Sequence, residues 1–412
     1  MRRTEAELQL AKGLIATGLG GDNRNPIGGH ELGDYRRRMT DAPESYAAKA
    51  ARAFAAMEDR FRTSEGLYRR DGRLHQPGSA AHLWPFARAL VATLDVSGME
   101  SGAIDVGADA AIANSLAAVE RYWDPSGDAP AYSSDVLGTW RGGDRYYDDN
   151  AWVGLALVQL ERMRPGSGYL DRAEALFRFA AAGWDRRADP NPGGVFWVEQ
   201  GRGVGARNHD RNTVSNAPNA ELGLHLAELS GAPVAAEGPI GTEEMYDWVL
   251  ATLDASRNTD SPATGLFWDR LRGDGTLDHT TWSYNQGSMI GANVLLARRG
   301  GSAQATYLAR AEAIARKALR HFAGGYQRQP AAFNAIFFRN LLLLHAATGD
   351  AGLRTEIINA IRGYADYAWH DKRDRHDQFH LSSGGVTLLN QSAIVQLLAL
   401  LAWDPGDYGK LA

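Results

Sequence analysis

Cysteine is absent from the 412-residue chain. Disulfides, thiolate metal sites and cysteine nucleophiles are therefore excluded. Long hydrophobic runs are absent as well: no stretch approaches the roughly 18 apolar residues of a membrane span. The opening "MRRTEAELQLAKGLIATGLGG" has an apolar run shorter than the core of a signal peptide. A soluble, cytoplasmic protein is the expectation. Charge of one sign is also in short supply. The formal net charge is −5, and the basic cluster Arg36, Arg37 and Arg38 is short enough to be a solvated face. No nucleic-acid or membrane partner is expected. There is no His-Glu-x-x-His pattern and no calcium-loop spacing. The glycine-rich "GGDNRNPIGG" fits neither the phosphate-loop nor the dinucleotide fingerprint, so no metal and no cofactor are expected. Strand signals are sparse, with period-two alternation confined to brief pieces such as "GVFWVEQ".

Helical periodicity, by contrast, runs through the whole chain. One set of segments is amphipathic and rich in charge, at about 43–61, 106–123, 169–184, 242–253, 304–322 and 352–368. In "YLDRAEALFRFAAAGW", Leu170, Ala173, Leu176 and Phe177 share a stripe that leaves Asp171, Arg172 and Glu174 outside it. Such helices cover a core with one face and meet water with the other. A second set is apolar nearly all round, at about 84–94, 150–160, 218–229, 286–296, 333–346 and 391–403; helices of this kind are buried on every side. The two sets alternate six times, an internal repeat of helix hairpins. Six hairpins that each bury one helix close into an all-α (α/α)6 toroid, with parallel inner helices and an outer ring. An open solenoid is the rival architecture, but its terminal hairpins require a polar outer cap that is not evident here. Residues 42–412 are expected to form this single domain and residues 1–41 an N-terminal extension packed on it.

Parallel inner helices put all six of their N-termini on one rim. The segments that start them are "HLWPF", "RYYDDNAW", "RNTVSNAPNAE", "TTWSYNQGSM", "QRQPAAFNA" and "TLLNQSA", rich in Asp, Asn, Gln, Tyr and Trp. Aromatic rings cover the apolar faces of sugars, while amides and carboxylates bond hydroxyl groups. The same residue types also serve as helix caps, the competing reading for Asn216, Asn285, Asn334 and Asn390. Asp148 and Asp149 open one inner helix. Two carboxylates are the equipment of glycoside hydrolysis, one acting at the anomeric carbon and one protonating the departing oxygen. A helix N-terminus favours an ionised carboxylate, and its charge raises the pKa of its neighbour. Adjacent residues leave little room for an intervening water, which favours retention through a covalent intermediate.

These residues resemble glycoside hydrolase family 76, bacterial and fungal (α/α)6 enzymes acting on α-1,6-linked mannose. The resemblance is carried by "YYDDNAW", "PGGVFWVEQ", "SNAPNAELGLHLAEL", "GLFWDRL", "WSYNQGSMIGANVLL", "FNAIFFRNLLLL" and "LLNQSAIVQLLALLAW", across about 43–403. It implies that Asp148 is the nucleophile and Asp149 the general acid/base. It places Tyr147, Trp197, Asn216, Tyr284, Asn285 and Asp269 among the subsite residues, and an α-mannoside oligosaccharide or polysaccharide as substrate. Members of the family are usually secreted, and the absence of an evident leader here leaves room for exo action on short oligosaccharides as well as endo action on mannan. Two alternatives stand beside this reading. One is a sugar epimerase or isomerase of the acylglucosamine 2-epimerase type on the same ring, which would work through histidines such as His82, His279, His376 and His380. The other is a non-enzymatic glycan-binding helical protein.

Overall fold

A computed structural model describes residues 44–412 apart from 70–79, 100–106, 128, 139–142, 188–190, 202–206, 233–239 and 258–263. The expected N-terminal extension, 1–41, lies outside the described residues. Twelve α-helices carry the fold among those described: α1 (Tyr46–Phe61), α2 (Leu83–Ser97), α3 (Ala108–Val119), α4 (Tyr147–Met163), α5 (Leu170–Ala182), α6 (Thr213–Ser230), α7 (Thr242–Leu253), α8 (Ser283–Arg298), α9 (Gln304–Phe322), α10 (Ala331–Ala347), α11 (Ala351–Tyr367) and α12 (Leu388–Leu400). The even-numbered helices are the inner ring. α2 packs on α4, α4 on α6, α6 on α8, α8 on α10 and α10 on α12, and α12 returns to α2. That last contact closes the ring and rules out the open solenoid: the chain is an (α/α)6 toroid. Inner helices are buried on all sides, as the apolar runs predict; every residue of α8 from Ser283 to Ala297 is buried. No described helix is long and apolar enough to cross a membrane.

The inner helices begin earlier than the apolar runs suggest. α4 starts at Tyr147 and α8 at Ser283, each three residues upstream of the expected boundary. The first-turn N–H groups of a helix have no intrahelical acceptor, so polar residues are tolerated there and the apolar pattern understates the helix. α6 differs most. It starts at Thr213, five residues upstream of the expected 218, and carries Pro218 inside it.

The connections that lead into α4, α6 and α8 are knitted into short antiparallel pieces on the rim. β1 (Trp123–Asp124) pairs with β2 (Ala131–Tyr132). β3 (Arg211–Asn212), β4 (Arg270–Leu271) and β5 (Leu277–Asp278) form a three-stranded sheet in that order. "GVFWVEQ" is indeed extended: Val195 bridges Trp184, Phe196 bridges Arg211 and Val198 bridges Tyr146.

A repeated hydrogen-bond device fastens these connections. The fourth residue of five inner helices is an amide: Asn150, Asn216, Gln286, Asn334 and Gln391. Asn150 accepts from the Tyr132 amide at 2.8 Å and donates to the Tyr132 carbonyl at 3.0 Å. Asn216 does the same with Val195, at 2.8 and 3.3 Å, and Gln286 with Phe267, both at 2.9 Å. Gln391 accepts from the Phe379 amide at 3.2 Å and donates to the Asp377 carbonyl at 3.0 Å. A side-chain amide carries both an acceptor and a donor, so it can take up a free backbone N–H and a free C=O of the same segment, and each clasp holds that segment against the helix start. Asn334 donates to the Tyr326 carbonyl and accepts from the Ser283 hydroxyl, linking α10 to α8 instead.

Candidate active site

The rim opens into a cleft. α2 contributes His82, Trp84 and Pro85, and the start of α4 contributes Tyr146, Asp148, Asp149 and Trp152. Trp197 comes from the connection to α6, Tyr284 from α8 and Phe333 from α10. Tyr284 and Phe333 are stacked, with ring centroids 3.8 Å apart and planes 6° from parallel. Trp84 leans on Phe333 at 5.9 Å, and Tyr146 on Trp197 at 5.2 Å. The cleft thus has aromatic faces on several sides and two carboxyl groups in one wall.

Asp148 and Asp149 are the second and third residues of α4, after Tyr146 as N-cap. Their environments differ. Asp148 Oδ2 accepts from the Trp197 indole N–H at 3.2 Å. Burial pushes the Asp148 carboxyl up to about 7; the Trp197 bond and the first-turn backbone amides of Asp148 and Asp149 pull against this, and the charge of Asp269 adds to the rise. Asp149 is raised well above the ordinary carboxylate range, first by burial and then by the Asp148 charge. The two cannot both ionise cheaply. Hydrogen-bond donors favour the charge on Asp148, and nothing equivalent lowers Asp149, which is the more strongly raised of the two.

The remaining expected site residues are distributed unevenly. Trp197 and Tyr284 line the cleft. Burial, with the charges of Asp269 and Asp148, raises the Tyr284 hydroxyl well above its ordinary value, which keeps it a neutral donor. Asp269, whose charge acts on both groups, is buried beside Arg270, 3.9 Å away. Asn285 is buried, its amide has no hydrogen-bond partner among the described residues, and it is not one of the cleft-lining residues named above. Tyr147 requires correction. Its ring is fully buried and stacks on Phe179 of α5 at 4.5 Å. A Cβ on Gly183 would stand 2.3 Å from that ring, so the glycine is what admits it. Tyr146, one residue earlier, faces the cleft in its place. Asn216 also requires correction: its amide is spent on the Val195 and Asn212 backbone, as a clasp and not as a sugar ligand.

Residues of the cleft that the sequence reading did not place among the subsite residues are His82, named there only for the epimerase alternative, and Trp84, Tyr146, Trp152 and Phe333. All lie in or beside the six helix-start segments, which was the available signal. Trp152 is 3% exposed and reads as core by pattern, yet it is part of the cleft lining. Among the described residues no group of three acidic, histidine or cysteine side chains could hold a metal ion.

The sequence profile of glycosyl hydrolase family 76 matches residues 42–388. No curated protein matches the sequence. Among solved structures, the family 76 mannosidase Bt3792 of Bacteroides thetaiotaomicron is 21% identical, with a TM-score of 0.70 over 87% of this chain and 98% of that one. The family 76 α-mannanase BT2949 of the same species is 17% identical, with a TM-score of 0.71 over 87% of this chain and 96% of that one. An inactive double aspartate variant of the α-1,6-mannanase of Salegentibacter sp. HEL1_6, in complex with α-1,6-mannotriose, is 20% identical, with a TM-score of 0.68 over 87% and 99%.

Proposed function

The chain belongs to glycosyl hydrolase family 76 and is a glycoside hydrolase with a glycan substrate, and from that premise we propose that it cleaves α-1,6-linked mannosides with retention, using Asp148 and Asp149. The observation that carries this reading is the unequal environment of two adjacent carboxyl groups at an aromatic cleft. Asp148, supported by the Trp197 indole, is the nucleophile. Its carboxylate attacks the anomeric carbon while the glycosidic C–O bond breaks. Asp149 gives its proton to the leaving sugar oxygen. In the second step Asp149, now ionised, takes a proton from water, the water oxygen attacks the anomeric carbon, and the bond to Asp148 breaks. Consecutive residues on a helix diverge by about 100°, which lets neighbours address different atoms of one bond. The mannanase of Salegentibacter gives independent support: exchange of two consecutive aspartates yields an inactive protein that is seen with α-1,6-mannotriose or α-1,6-mannotetraose. Tyr284, Phe333, Trp84 and Trp197 supply faces for the sugar rings, and Asp269 bonds hydroxyl groups beside Asp148.

The reading is tested by hydrolysing α-1,6-manno-oligosaccharides and following the first product by NMR. The α-anomer is expected at the reducing end of the newly released sugar before mutarotation. An initial β-anomer would overturn the double displacement. An epimerase would convert free monosaccharide and leave the oligosaccharide intact.

A further inference from the structure

Of the three residues that α2 places on the cleft, Trp84 and Pro85 offer no hydrogen-bond acceptor on their side chains. His82 is the exception. It is the N-cap residue of α2, and its Nδ1 stands 2.5 Å from Asp135 Oδ1. Asp135 follows β2 on the loop to α4. That loop is bound to the same helix start, because the Leu83 amide donates to the Ser134 carbonyl at 2.9 Å. The contact sets the imidazole beside a carboxylate carried by that same loop and so restricts its orientation.

We propose that His82, oriented by Asp135, is a specificity-determining residue that hydrogen-bonds one hydroxyl group of the bound sugar from the α2 side of the cleft. The inference rests on the glycoside-hydrolase reading above and deepens it. In that reading Asp148 and Asp149 are committed to the anomeric carbon and the glycosidic oxygen. Trp84, Trp152 and Phe333 present rings that accommodate C–H faces, and none of these side chains offers an acceptor to a sugar hydroxyl. A sugar hydroxyl turned toward α2 loses its water on binding, and an unpaired buried hydroxyl weakens binding strongly. His82 is the α2 group with a ring nitrogen that can accept from that hydroxyl, and its restricted orientation makes the replacement selective for hydroxyl position. The rival reading is a latch that only holds the β2–α4 loop to α2.

The test is a set of coupling measurements on the full chain, with α-1,6-mannobiose and its monodeoxy analogues as substrates for wild type, His82→Phe, His82→Gln and Asp135→Asn. His82→Phe is expected to lower kcat/KM on mannobiose roughly 10- to 100-fold, Asp135→Asn less, and His82→Gln least because it keeps a polar tip. One deoxy position should be penalised in wild type and silent in His82→Phe. The assignment fails if kcat/KM stays within about twofold of wild type. It also fails if the loss is the same for every deoxy position and accompanies a lowered melting temperature, the signature of a latch. Should His82→Phe not fold, the same coupling in His82→Gln decides. A wild-type protein that turns over no α-1,6-mannoside overturns the substrate reading and this inference with it; an active wild type without coupling sinks only His82.

Discussion

Asp95 and Asp148 are carboxylates on inner helices at opposite ends of the same ring, and their surroundings are built to different ends. Asp95, near the C-terminus of α2, is fully buried and receives the Arg339 guanidinium of α10 on both oxygens at 2.9 Å. Arg339 also donates to Gln159 at 3.1 Å and to the Ala412 carbonyl at 2.6 Å, so one cation fastens α2, α4, α10 and the last described residue together. At the rim, Asp148 has one indole N–H and the amides of its own first turn, and among the described residues no cation pairs with it or with Asp149. Burial pushes both acids upward, Asp95 to about 6 against the opposing pull of Arg339 and Asp148 to about 7. A buried carboxylate with a guanidinium ties helices. A buried carboxylate with only neutral donors holds its charge near the balance point where it can react.

Removing the rim carboxylates should give the largest effect. Asp148→Asn and Asp149→Asn are each expected to lower kcat on α-1,6-mannobiose by at least about 10³-fold. The fold should gain from the same change. A carboxyl raised in the folded state binds more protons there than in the unfolded chain, so its stabilising contribution is present below the ordinary carboxylate pKa and is lost as pH rises through the folded value. Melting temperatures of Asp149→Asn and wild type should therefore converge near about pH 4 and favour the variant at about pH 8. A wild type that is the more stable at pH 8 would contradict the assigned environment. Next in size, Arg339→Met leaves Asp95 buried without its cation and should cost about 3–5 kcal/mol in urea unfolding, with kcat/KM of the folded fraction unchanged. A cost below about 1 kcal/mol would erase the distinction drawn between the two ends. The smallest effect is expected from Trp197→Phe. Loss of the indole N–H withdraws support from the ionised form of Asp148, so the acid limb of kcat/KM against pH, expected near 7 in wild type, moves to higher pH. An unmoved limb would separate Trp197 from the Asp148 charge.

The alternation of amphipathic and wholly apolar segments was enough to read the twelve helices and the ring, because burial on every side leaves a one-dimensional trace. The placement of Asp148 and Asp149 on the shared rim was legible for the same reason. What lay beyond reach depended on partners distant in the chain. Tyr146 and Tyr147 are neighbours of identical type, and only the packing of α5, through Phe179 and Gly183, decides that one faces inward and the other out. Asn216 looked like a ligand or a cap, and its partner Val195 lies 21 positions away. His82 stood in a helix-start segment, but its significance depends on Asp135, brought beside it by a loop that carries no periodic signal. Trp152 shows how pattern misleads at a boundary: a residue almost entirely buried can still line a cleft.

The amide clasps have a consequence for how this ring can change over time. Each pins a strand to the helix that follows it, at separations of 18, 21, 19 and 12 residues for Asn150, Asn216, Gln286 and Gln391. The chain between the two pinned points is a closed loop, and the entropy of closing a loop grows only with the logarithm of its length, about 0.6 kcal/mol for each doubling. Insertions there are thermodynamically cheap and leave the strand beside the cleft where it was. Lineages built on this ring can therefore lengthen or trim the walls of the cleft, and with them the set of glycans admitted, while the two aspartates keep their place.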